Sequence, residues 1–78
     1  MENTNFEMAI AAYKANPSNE NTVAVLQARI EMSQAVAQEA IEKYQTDPSK
    51  ENAFWCKFHT EARDKEFLEC MMLMRKYS

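Results

Sequence analysis

Glycine is absent from the chain. Without it few positions can take a positive φ, which excludes tight two-residue β-hairpins, glycine-built phosphate loops and the nucleophile elbow of hydrolases. Proline is nearly as scarce, with Pro17 and Pro48 alone. Cysteine occurs at Cys56 and Cys70, and histidine only at His59. If the last third of the chain is one helix, the two thiols stand about 21 Å apart along it, far beyond the roughly 4.4–6.8 Å that a disulfide spans. No close cysteine pair and no second histidine offer a zinc pattern, so no metal site is expected. The thiols read as small buried hydrophobes in a reducing cytoplasm.

Long apolar runs are missing as well. No segment approaches the roughly 20 apolar residues of a membrane span, and the opening residues carry acids where a signal peptide needs a basic start. The expectation is a cytoplasmic protein with no membrane partner. Twelve acidic against nine basic side chains give a formal charge of -3, which argues against binding a DNA or RNA duplex through its phosphates. At 78 residues the chain is one domain, 1–78, of a size that needs unusually regular packing or self-association to be stable.

What the chain does contain is a repeat. "AIAAYKANPSNEN" from Ala9 and "AIEKYQTDPSKEN" from Ala40 share seven of thirteen positions at an offset of 31 residues. Both prolines sit inside it. Asn16 and Asp47 precede them as N-cap candidates, the prolines fit the first helical position, and Glu20 and Glu51 complement the helix dipole. Thr4 and Glu7 have the spacing of a capping box. Three helices follow, at about 4–15, 17–45 and 48–77, with turns short enough to make sequential helices antiparallel neighbours. A tetratricopeptide unit would need two helices per repeat, whereas this period holds one. The fold class is therefore all-α, a short N-terminal helix followed by a long antiparallel helical hairpin.

Periodicity assigns faces. Val23, Leu26, Ile30, Ser33, Ala37, Ala40 and Tyr44 keep the three-four spacing of a coiled-coil seam, and Phe6, Ala9, Ile10 and Tyr13 make one stripe on the first helix. Early in the last helix Phe54, Trp55, Phe58 and Ala62 form one face. Further on, "FLECMMLM" is apolar nearly all round, which calls for burial on every side. Self-association through Phe67, Met71, Met72 and Met74 would supply it, so a homo-oligomer is expected.

Catalytic constellations are missing, and an enzyme is not expected. His59 and Thr60 are adjacent and diverge by about 100° on a helix, a poor geometry for a base and its nucleophile. Glu39 with Lys43 and Glu61 with Lys65 have the spacing of surface ion pairs. No cofactor is implied. Folding the hairpin brings Tyr13, Lys14, Arg75, Lys76 and Tyr77 to one end, a combination of cations and aromatic rings suited to a nucleotide or simply to a solvated helix end. Counting outward from Asp47 sets Arg29 opposite Arg63 and Lys65, where Glu31, Asp64 and Glu66 could neutralise them.

Several of these residues carry a resemblance to a family. The "YK" at Tyr13-Lys14, the basic Arg29 some fifteen positions on, and the turn "DPSKENAFW" followed by Thr60 and Phe67 resemble the phage anti-CBASS cyclic-oligonucleotide sponges. The glycines that family carries before its tyrosine and in its last helix are missing here. The resemblance implies a short helix before two long antiparallel ones, a hexameric assembly and a cyclic oligonucleotide held between protomers without cleavage. It further implies Tyr13, Arg29 and Thr60 as ligand contacts, with Lys14 beside them, in a viral counter-defence protein acting in the host cytoplasm. The alternative from the residues alone is an acidic helical interaction module or inhibitor, anti-CRISPR-like, that docks on a basic protein.

Overall fold

The computed structural model describes residues 4–77, and these form three α-helices with no strand: α1 (Thr4–Ala15), α2 (Asn19–Thr46) and α3 (Lys50–Tyr77). No described residue has a positive φ, in keeping with the absence of glycine. None of the helices is long and apolar enough to cross a membrane. The residue that would cap α1 lies outside the described residues, because Thr4 is already helical.

Both long helices begin two residues later than the prolines suggest, and the reason lies in the caps. Ser18, with extended backbone (φ -93°, ψ 166°), is the N-cap of α2, and its Oγ accepts the backbone N–H of Asn21 at 3.1 Å. Ser49 Oγ accepts the N–H of Asn52 at the same distance. Pro17 and Pro48 therefore precede the caps rather than open the helices. Asn16 and Asp47 belong to the preceding helices: each backbone N–H donates back four residues, to Ala12 and Lys43, at 2.9 Å. Asp47 is the C-cap of α2.

One side chain then ties each pair of helix ends together. Asn21 Nδ2 donates to the carbonyls of Asn16 (2.8 Å) and Ala12 (3.3 Å), and Asn52 Nδ2 donates to those of Asp47 (2.8 Å) and Lys43 (3.4 Å). These carbonyls are among the acceptors that a helix C-terminus leaves unsatisfied. The repeat thus encodes the same doubly capped turn twice, which accounts for its shared Pro, Ser and Asn.

α2 packs against α1 on one side and α3 on the other, while α1 and α3 do not touch. The result is a plate one helix thick, 46 × 26 × 12 Å across its Cα atoms. Toward α3, Leu26, Ala37 and Ala40 are buried and Val23, Ile30 and Ser33 half-buried, whereas Tyr44 near the turn is exposed. Toward α1, the same spacing places Asn21, Val25, Ala28 and Met32, with Ala28 buried. The small residues permit close approach of the backbones.

α3 departs from expectation. Its inward stripe is Cys56, Thr60, Arg63, Phe67, Cys70 and Met74, all buried or half-buried. Phe54 and Phe58 face away from α2, whereas Trp55 and Ala62 flank the seam beside Val36, and all four are exposed. The terminal run also divides, with Phe67, Cys70, Leu73 and Met74 turned inward and Leu68, Met71 and Met72 outward. A one-layer plate cannot enclose a helix, so one of the two stripes of α3 must stay open.

Candidate functional site

The open side of α3 starts with a cluster of rings. Phe54 and Trp55 meet edge to face at 4.9 Å between centroids, Trp55 and Phe58 at 5.6 Å, and Trp55 lies over His59 at 5.8 Å with their planes 27° apart. Residues three and four apart on a helix share a face, so the sequence builds this cluster without help from another element. Phe54 is 59% exposed, Trp55 44% and Phe58 51%. Trp55 and His59 also rim a groove of about 490 Å³ between α2 and α3, floored by Val36 and Ala40 and bordered by Lys43, Asn52, Glu39 and Glu51. The groove joins an apolar wall to a mixed polar rim.

Further from the turn, the guanidinium of Arg29 bridges two carboxylates of α3. Its Nε donates to Glu66 at 2.7 Å and its Nη2 to Glu69 at 3.1 Å. The hydrogen bond to Glu66 raises the Arg29 pKa above its ordinary value, with further support from the neighbouring charges, so this cation is held charged. Arg29 stands opposite Glu66 and Glu69, not Arg63 and Lys65. The offset follows from the turn, which is centred on Pro48 rather than Asp47. Arg63 donates to Asp64 (3.2 Å) and reaches Gln34 of α2 (3.4 Å). Neither Glu39–Lys43 nor Glu61–Lys65 closes into an ion pair.

Below Arg29 lies Cys70, fully buried. Burial pushes its thiol pKa up, partly countered by the Arg29 charge. Cys56 is half-buried, and both thiols are free. Among the described residues no group of three His, Cys, Asp or Glu side chains could hold a metal ion.

The four residues singled out as ligand contacts occupy separate levels of one chain. Tyr13 and Lys14 are exposed at the end of α1. Arg29 is one step along α2, roughly 12 Å away in level, and Thr60 a further step of similar length. Thr60 Oγ1 donates to the carbonyl of Lys57 in its own helix at 3.1 Å. At the end where Tyr13 and Lys14 lie, the register of α3 also brings Arg75, Lys76 and Tyr77, with Lys76 Nζ 5.9 Å from the Tyr77 ring centroid. Of the four residues expected at an oligomer interface, Met71 and Met72 are exposed, and Phe67 and Met74 are half-buried toward α2.

Sequence reasoning missed the outward turn of Phe54 and Phe58 and the role of Asn21 and Asn52. The first was legible in the three-four spacing of Cys56, Thr60, Phe67 and Cys70, an inconspicuous stripe because its residues are small or polar. Comparison with protein-family models, curated proteins and solved structures finds no match.

Proposed function

We propose that the chain is a non-catalytic helical docking protein, an interaction module or inhibitor that presents the open side of α3 to a protein. The observation that supports this reading is the exposed ring cluster of Phe54, Trp55 and Phe58, continued along the helix by Leu68, Met71 and Met72. Aromatic residues and methionine are the side chains enriched in interface cores, and apolar patches of this extent mark interaction surfaces. The surrounding acidic charge favours fast association with a basic protein. The test is capture of partners from extracts of the encoding organism by the immobilised chain and by Phe54→Ser/Phe58→Ser. Loss of captured protein from a variant of unchanged helicity supports the reading. Identical capture by both chains removes it.

A second reading is supported by the basic, aromatic end formed by Tyr13, Lys14, Arg75, Lys76 and Tyr77. In it the protein is a phage-type counter-defence factor that sequesters cyclic oligonucleotides between protomers, with the cations on the phosphates and the rings on the bases. Cyclic di- and trinucleotides then raise the melting temperature, since a ligand of the folded state alone stabilises it by RT ln(1 + [L]/Kd). Tyr13→Ala and Lys14→Ala remove that shift. A calorimetric titration of a nucleotide panel that yields neither heat nor thermal shift rejects this reading.

A further inference from the structure

α3 carries two stripes at heptad spacing, and only one has a partner. Opposite the stripe that faces α2, Phe54, Phe58, Glu61, Lys65, Leu68 and Met72 recur at alternating steps of four and three residues, all of them exposed. α3 is an edge helix of the plate, and α1 lies on the far side of α2. No other described helix covers this second stripe.

The order of residues along it is self-complementary. Phe54 and Met72 lie equally far from Arg63, as do Phe58 and Leu68, and then Glu61 and Lys65. One step further out Glu51 and Arg75 repeat the relation, an acid matched by a base. A second copy laid antiparallel about a two-fold axis at the level of Arg63 brings every one of these residues to its counterpart. Two layers then pair apolar with apolar side chains, and two pair a carboxylate with a cation. A parallel, in-register copy would instead set Glu61 on Glu61 and Lys65 on Lys65. Charged residues at such seam positions select register and orientation. Neither side chain forms an ion pair or hydrogen bond within its own chain among the described residues.

We infer that the open stripe of α3 is a homodimer interface in which two copies pair antiparallel, with Glu61 of each opposite Lys65 of the other. The inference rests on the reading of this face as a docking surface and names as its occupant a second copy, matched by the order of charges along the stripe rather than by an opposite net charge. A folded monomer of 9.1 kDa is expected to expose about 4,900 Å², and this chain exposes 5956 Å². The surplus, about 1,000 Å², is spread over the faces of a plate one helix thick, and it is surface of this kind that self-association recovers. An isologous contact of this kind closes on itself, leaving the groove beside Trp55 and the basic end near Lys14 outside the seam.

Light scattering across the micromolar range tests the pairing on the wild type, Glu61→Lys, Lys65→Glu and the double swap Glu61→Lys/Lys65→Glu. The wild type and the double swap are expected at twice the monomer mass. Each single reversal should raise the dissociation constant by about tenfold or more, with unchanged helicity by circular dichroism. A wild type that stays monomeric overturns the pairing. Docking on a different protein would then still be judged by the capture experiment with Phe54→Ser/Phe58→Ser. A dimer indifferent to both single reversals, or a double swap that fails to recover the dimer, also overturns it.

Discussion

The side-chain amide of Asn52 donates to the backbone carbonyl of Asp47 at 2.8 Å, while the backbone N–H of Asn52 donates to Ser49 Oγ at 3.1 Å. One residue thereby closes α2 and opens α3. Asn52→Ala removes the first bond and its companion to Lys43, and is expected to lower stability by about 1 kcal/mol, the net value of a hydrogen bond or two in a partly solvated site. Ser49→Ala should cost about 0.5–2 kcal/mol through loss of the N-cap. Asp47→Ala retains the backbone carbonyl and should cost less than either. Urea midpoints of the three variants check the order, and a costlier Asp47 variant would restore that residue as the cap.

Arg29 clamps α2 to α3 through Glu66 and Glu69. Both side chains of the shorter pair are partly exposed, so solvent screens them. Arg29→Ala is expected to destabilise the chain by about 1 kcal/mol in low salt and by less in high salt. Arg29→Lys should recover only part of the loss, since an ammonium cannot reproduce the forked contact. Thermal melts at two ionic strengths measure this. An unchanged midpoint would mean that the clamp contributes nothing.

The two cysteines differ in accessibility. Cys70 is fully buried with its pKa raised, and Cys56 is only half-buried. A thiol reagent at mild pH should label Cys56 first, with Cys70 reacting only as the chain opens. Because the folded chain holds the Cys70 proton more tightly than the unfolded chain, stability from this group is complete below the ordinary thiol pKa, about 8.5. It is lost as pH rises through the higher folded value. The pH slope above neutrality should thus be shallower in Cys70→Ala. Mass-resolved labelling and melts between neutral and alkaline pH provide the readouts.

Phe58 and Phe67 test which side of α3 is the packing side. Phe67→Ala should cost about 2–3 kcal/mol, below the roughly 3–5 kcal/mol of a fully buried phenylalanine because the ring is only half-buried. Phe58→Ala should leave the monomer within about 0.5 kcal/mol, as surface substitutions do. It should also abolish the rise of melting temperature with protein concentration expected of a self-associating chain. The reverse order of costs would place the aromatic cluster in the core.

Helix number, all-helical class and antiparallel order are legible in the chain because they depend on local chemistry. The absence of glycine removes hairpin turns, the two Pro-Ser segments stop and restart the helix, and the seam of α2 from Val23 to Ala40 repeats with helical period. Cap identities were less legible, since Asn16, Ser18, Asp47 and Ser49 are all competent to cap and only the path of the backbone selects among them. The inward side of α3 was decided by the tertiary structure. Its phenylalanines and tryptophan carry the stronger hydrophobic signal, yet near the turn, where α2 presents Ala37 and Ala40, the smaller Cys56 and Thr60 occupy the inward side. Likewise the scattered placement of Tyr13, Arg29 and Thr60 arises from a plate one helix thick, in which α1 and α3 are held apart by α2. Apolar spacing shows that a helix has a buried side, but where a helix has two such stripes, shape complementarity with its neighbour decides which one is filled.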